Sequence, residues 1–176
     1  VIQLHDKHFV PFISAAEIDA TIGRLAKLAE EDLKGEIPVF IGVLNGSFMV
    51  VSDFVKKYSQ PCEVSFVKMS SYEGTTSTNS VKQLIGLSKS LEGRSVVIIE
   101  DIVDTGNTVA ELKKIFEGHN LKQLKIATLF FKPEAYKQDI KLDYIGFEIP
   151  DKFIVGYGLD YDELGRNLPE VYQLKE

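Results

Sequence analysis

Residues 96 to 108, VVIIEDIVDTGNT, constrain this chain more than any other stretch. Val96, Val97, Ile98 and Ile99 are consecutive, apolar and β-branched, the composition of a strand buried on both faces of a parallel sheet. The run passes straight into Glu100 and Asp101 and then Asp104, after which Thr105, Gly106, Asn107 and Thr108 open a helix. A strand that ends in acids and feeds a small hydroxylated loop at a helix N-terminus can hold a sugar, a metal and a phosphate together.

Each part has a physical reason. In an open α/β sheet, ligands sit beyond the carboxyl ends of the strands, where loops vary over a rigid scaffold. The first N–H groups of a helix have no intrahelical partner and point outward, so they bind anions. Gly106 allows close backbone approach or positive φ, and Thr105 and Thr108 add hydroxyl donors. Thr108 and Glu111 fit a capping box, ahead of an apolar face of Val109, Leu112, Ile115 and Phe116. The acids repel a phosphate placed against them, so hydroxyls or a divalent cation are their natural ligands.

Composition narrows the class. At 176 residues, with 44% hydrophobic and 26% charged residues, the chain suits one soluble domain with a full core. Its apolar runs fall short of the roughly 20 residues a membrane span requires, so no membrane partner is expected. Val1 onward lacks a basic region followed by an apolar one, so no secretory leader is expected. A net charge of −6 and a pI near 5.2 argue against a nucleic-acid partner, which calls for a clustered positive patch. Cys62 is the one cysteine, which fits a reducing cytoplasm and reads as a structural thiol buried in a strand. His5, His8 and His119 form no metal-ligand pattern.

Along the chain, Ser14 and Glu17 make a capping box that opens a helix to about Leu33, with Ile18, Ile22, Leu25 and Leu28 as its stripe. Residues 37 to 43 read as a buried strand and residues 44 to 47 as a tight loop, followed by a helix to about Tyr58. A strand over residues 62 to 70 alternates Val64, Phe66 and Met69 with polar positions. Further strands fall at residues 96 to 101, 124 to 131 and 144 to 149, with a helix over 107 to 118. This order predicts an α/β fold, a mainly parallel sheet flanked by helices. Residues 72 to 80 are polar and read as a binding loop. Residues 1 to 13 and the stretch after Pro150 fit no repeat and predict a small subdomain.

The string EDIVDTG within its strand–loop–helix setting resembles the phosphoribosyl pyrophosphate (PRPP) motif of type I phosphoribosyltransferases, in the form of their hypoxanthine-guanine branch. A P-loop ATPase reading fails, since no Gly-x-x-x-x-Gly-Lys-Ser/Thr is present. The resemblance implies one domain over residues 1 to 176, with a core of about 14 to 156 and a hood from about 1 to 13 and 157 to 176. It implies Mg²⁺-dependent transfer of 5-phosphoribosyl from PRPP to a 6-oxopurine, giving IMP or GMP and pyrophosphate, by a homodimer or homotetramer.

Residue by residue, it implies that Glu100 and Asp101 bind the ribose hydroxyls. The 5′-phosphate falls to Asp104, Thr105, Gly106, Asn107 and Thr108, with Asp104 also the acid-base residue. Leu44, Asn45 and Gly46, with a strained or cis peptide at the first pair, and Arg166 face pyrophosphate. Lys132, Phe153 and Ile154 face the purine, and Ser71 and Tyr72 start a flexible catalytic loop. Glu100, Asp101 and Asp160 serve the metal. Asn45 and Asn107 stand where the family often has lysine, so neutral amides replace two positive charges. A PRPP-sensing regulator on the same fold would dispense with Asp104, Lys132 and Phe153, all of which are present.

Overall fold

A computed structural model describes residues 1–69, the strand backbone of residues 81–85, and residues 89–176. The elements are β1 (Ile2–Leu4), β2 (Lys7–Ile13), α1 (Ala15–Asp32), β3 (Val39–Leu44), α2 (Phe48–Lys57), β4 (Glu63–Met69), β5 (Val81–Ile85), β6 (Ser95–Val103), α3 (Asn107–Glu117), β7 (Gln123–Phe131), β8 (Tyr144–Glu148), β9 (Ile154–Val155) and β10 (Val171–Leu174). The large sheet has the order β5-β4-β3-β6-β7-β8. Its strands pair in parallel except for the antiparallel edge strand β5. The second sheet, β1-β2-β10-β9, pairs antiparallel and is drawn from both ends of the chain.

The apolar run of β6 divides between the two faces, as a doubly covered parallel strand requires. Val97 and Ile99 join a core with Ile18, Ile22 and Leu25 of α1 and Val50 and Phe54 of α2. Val96 and Ile98 join Leu112 and Phe116 of α3 on the other face. The strand order reverses between β3 and β6, because α2 leads outward to β4 and α3 leads outward to β7. Their carboxyl ends are therefore free of crossing connections at the same point. That crevice is where open α/β sheets bind ligands.

Several expectations need correction. The Ser14–Glu17 capping box forms, but Leu28 is exposed and Ala26 and Ala29 complete the buried stripe of α1. In β4 Ser65 and Val67 are buried on one face; on the other, Phe66 packs partly buried against the main core while Val64 is exposed. The Thr108–Glu111 capping box does not form: the helix cap lies two residues earlier, at Gly106, in the left-handed region at φ 81°, and Asn107 begins α3. Cys62 is half-buried just before β4, and burial raises its thiol pKa.

At the end of α1, the Asp32 carboxylate accepts hydrogen bonds from Lys125 Nζ and Tyr144 Oη, both at 2.5 Å, tying the helix to β7 and β8. These bonds hold Asp32 below its ordinary pKa of 3.8. Stability from this carboxylate is complete above that value and disappears as pH falls through the lower folded value. Asp32→Asn should lower the melting temperature at pH 7, with the deficit shrinking in acid scans below about pH 4. A deficit that stays constant down to pH 2 contradicts this.

Candidate active site

A cavity of about 470 Å³ opens at the carboxyl ends of β3 and β6. It is lined by Leu44 and Gly46 from the turn after β3, by Glu100, Asp101 and Asp104 from the end of β6, and by Asn107, Thr108 and Glu111 of α3. Met69, at the end of β4, closes one side. A smaller hollow shares Glu100, Asp104, Asn107 and Thr108 and adds Gly106 and Val109.

The acids differ in environment although they are close in sequence. Glu100 is only 5% exposed, and burial drives its pKa well above the carboxylate range, with the charges of Asp101 and Asp104 adding to the shift. Burial also pushes Asp101 up to about 6, opposed by the Ile102 N–H and by Arg166, while Asp160 reinforces it. The Ile102 N–H donates to Asp101 Oδ1 at 2.8 Å. Asp104 is exposed and accepts the Thr105 N–H at 2.5 Å.

The first intrahelical bond of α3 runs from the Ala110 N–H to the Gly106 carbonyl at 3.0 Å. The N–H groups of residues 107 to 109 thus precede any intrahelical acceptor and head the helix beside the cavity, an anion-binding arrangement. Gly106 is required twice. Its φ is positive, and a Cβ there would strike the Tyr136 ring and the Gln138 stem. Gln138 Nε2 donates to Asn107 Oδ1 at 3.1 Å, and the Lys137 N–H to the Thr105 carbonyl at 3.1 Å, so the segment after β7 braces the loop from behind.

Opposite, the Leu44–Asn45 peptide is cis. A Cβ at Gly46 would overlap the Asp101 carboxylate, and one at Gly158 would overlap the Gly46 carbonyl. Arg166 joins this contact: Nη1 donates to the Gly158 carbonyl at 2.8 Å and Nη2 pairs with Asp160 Oδ1 at 2.9 Å. Lys132 lies just past β7, where its N–H donates to the Val103 carbonyl at 2.9 Å. Its side chain is 10% exposed and its ammonium meets Asp151 Oδ1 at 3.2 Å. Phe153 is 45% exposed, with its ring edge-on to Tyr161 at 5.9 Å.

The sequence profile described as the phosphoribosyl transferase domain matches residues 14–162. The chain is 42% identical over 164 residues to the hypoxanthine-guanine phosphoribosyltransferase of Bacillus subtilis, covering 93% of this chain and 91% of that one. It belongs to the hypoxanthine-guanine phosphoribosyltransferase family. The hypoxanthine phosphoribosyltransferase of Salmonella typhimurium is 41% identical, with 94% and 95% of the two chains covered. A crystal structure of a Bacillus anthracis hypoxanthine-guanine phosphoribosyltransferase superposes with a TM-score of 0.85 at 37% identity, covering 97% of this chain and 99% of that one. The parallel sheet with its hood-like second sheet is thus the type I phosphoribosyltransferase fold that the sequence predicted.

Of the residues the sequence singled out, the cavity gathers Leu44, Gly46, Glu100, Asp101, Asp104, Asn107 and Thr108. Asp160 does not line the cavity, although its charge reaches Asp101; its carboxylate is held by Arg166 and by the Glu163 N–H at 2.9 Å. Among the described residues no three acids, histidines or cysteines converge as a ready metal cage. Two adjacent carboxylates still suit Mg²⁺, which keeps several waters and takes one or two protein carboxylates beside substrate oxygens. Ile154 is buried and its side chain belongs to the core. Ser71 and Tyr72 lie outside the described residues.

Sequence reasoning missed Asp151, Gln138, Tyr136 and Gly158. Gly158 alone carried a signal, as one of two glycines flanking Tyr157. Gly158→Ala should be costly for two reasons: φ is +98° and the methyl meets backbone. Gly93, at φ +70° with nothing nearby, supplies the control for backbone strain alone. Urea unfolding should place Gly158→Ala below Gly93→Ala by about 1–3 kcal/mol, the usual cost of overpacking. Equal losses would show that the two loops do not touch.

Proposed function

We propose that this chain transfers the 5-phosphoribosyl group of PRPP to N9 of hypoxanthine or guanine, releasing pyrophosphate and giving IMP or GMP in cytoplasmic purine salvage. The reading rests above all on the meeting, at one cavity, of the carboxylates ending β6, the head of α3 and the turn at Gly46. Membership of a family named for this activity supports it. The whole chain acts as one unit, with a core of about residues 14 to 156 and a hood from the two ends, and works as a homodimer or homotetramer.

In this reading Glu100 and Asp101 accept hydrogen bonds from the ribose hydroxyls, which carboxylates do without a partner of their own. They would also hold Mg²⁺, directly or through water, and Asp160 would support a second ion through water. When bound, the cation stabilises the negative charge developing on the departing pyrophosphate. Thr105, Gly106, Asn107 and Thr108 receive the 5′-phosphate on N–H and hydroxyl donors, with Asp104 at the edge of the loop. Leu44, Asn45 and Gly46 and the Arg166 guanidinium receive the pyrophosphate end.

Lys132 presents donors to the purine 6-oxo group, and Phe153 and Ile154 form the wall beside the base, Ile154 through its main chain. An ammonium donates and never accepts, so the 6-amino group of adenine sets donor against donor. Polar mismatch of this kind supports strong rejection. Asp104 handles the proton at purine N7 as N9 becomes bonded.

A spectrophotometric assay with PRPP and Mg²⁺ should show turnover of hypoxanthine and guanine and refusal of adenine. Asp104→Asn should lower kcat by about 10²–10⁴-fold, the usual weight of general acid-base help, with PRPP binding largely intact. No turnover with any base overturns the reading. Undiminished kcat in Asp104→Asn removes that residue from its role.

A further inference from the structure

Residues 156 to 158 take three consecutive left-handed conformations, with φ of 101°, 49° and 98°. The flanking glycines adopt them freely, but Tyr157 between them does not. Its ring is buried in the main core beside Ile154 and Leu159. A phenylalanine would fill that space equally well, so the hydroxyl serves another purpose.

The Tyr157 hydroxyl donates to Asp53 Oδ2, on the outward side of α2. Asp53 Oδ1 is held by Lys56 Nζ at 2.7 Å, so each carboxylate oxygen has its own partner. Helix α2 begins at Phe48, two residues after Gly46. The hydrogen bond therefore links the same two segments that touch where Gly158 lies against the Gly46 carbonyl. Arg166 is fastened to the Gly158 carbonyl, so its guanidinium moves with this turn.

We infer that Tyr157 and Asp53 form a positioning pair that fixes the Gly158–Arg166 segment against the Gly46 turn and so sets the pyrophosphate end of the site. The pair touches no reacting atom. It acts through the spacing of two backbone segments, where small displacements weigh heavily on ligand binding. The inference rests on the phosphoribosyltransferase reading.

The test compares wild type with Tyr157→Phe, Asp53→Ala and Asp53→Asn, using calorimetric binding of inorganic pyrophosphate with Mg²⁺, binding of GMP, and steady-state kinetics. Tyr157→Phe and Asp53→Ala should weaken pyrophosphate binding and raise the KM for PRPP by about tenfold, with GMP affinity, purine KM and folding nearly unchanged. Asp53→Asn keeps an acceptor for the hydroxyl and should stay near wild type. The double variant should be no worse than either single one, because both remove the same bond. Pyrophosphate affinity unchanged in both variants overturns the pair, as does a uniform loss for all ligands in step with a lower melting temperature. If Tyr157→Phe fails to fold, Asp53→Ala and Asp53→Asn decide alone. Wild type without turnover or pyrophosphate binding removes the functional reading as well, whereas active wild type beside unaffected variants removes only the pair.

Discussion

Gly46 is wedged between the Asp101 carboxylate and, through its carbonyl, the backbone of Gly158, with no room for a side-chain carbon at either glycine. Three segments distant in sequence meet there: the turn after β3, the end of β6 and the loop leading from the second sheet. This close approach ties the three segments together at one point. The central strands β3 and β6 bring the first two segments to the reversal point of the sheet, and their doubly buried apolar runs make that placement rigid. The antiparallel sheet from the chain ends supplies the third and carries Arg166 and Asp160 with it.

Electrostatics then separates the tasks. Burial leaves Glu100 and Asp101 reluctant to ionise, so a cation or a set of hydroxyls there is favoured over an anion. The head of α3, with main-chain donors ahead of its first helical bond, favours the opposite charge one turn away. Two positive groups are held nearby: Arg166 on the Gly158 carbonyl and Asp160, and Lys132 bound by its N–H to the Val103 carbonyl at the end of β6, with its ammonium on Asp151. A chain with net charge −6 thus arranges donors and acids along one cavity without a broad positive surface.

The sequence carried the central parts because they are local. The run from Val96 to Thr108 encodes strand, acids and helix head in one stretch, and Ser14 with Glu17 encodes the start of α1. Local signals also misled. Thr108 and Glu111 satisfied a capping pattern that Gly106 pre-empts by turning left-handed two residues earlier, at a place where Tyr136 and Gln138 leave no room for a side chain. Val64 fitted an alternation whose buried phase belongs to Ser65 and Val67. The second sheet stayed hidden because its strands are short and its central pairing, β2 with β10, joins the two ends of the chain. Asp151, Gln138 and the Tyr157–Asp53 bond were illegible for the same reason: each acts across a separation that no spacing rule spans.

A crystal structure with bound inosine monophosphate tests the central claim most directly, because one molecule must then span all the segments. The phosphate should lie on the N–H groups heading α3, the ribose hydroxyls on Glu100 and Asp101, and the purine beside Phe153 with its 6-oxo group on the Lys132 ammonium. A nucleotide seated elsewhere, or one whose 6-oxo group points away from Lys132, would contradict it.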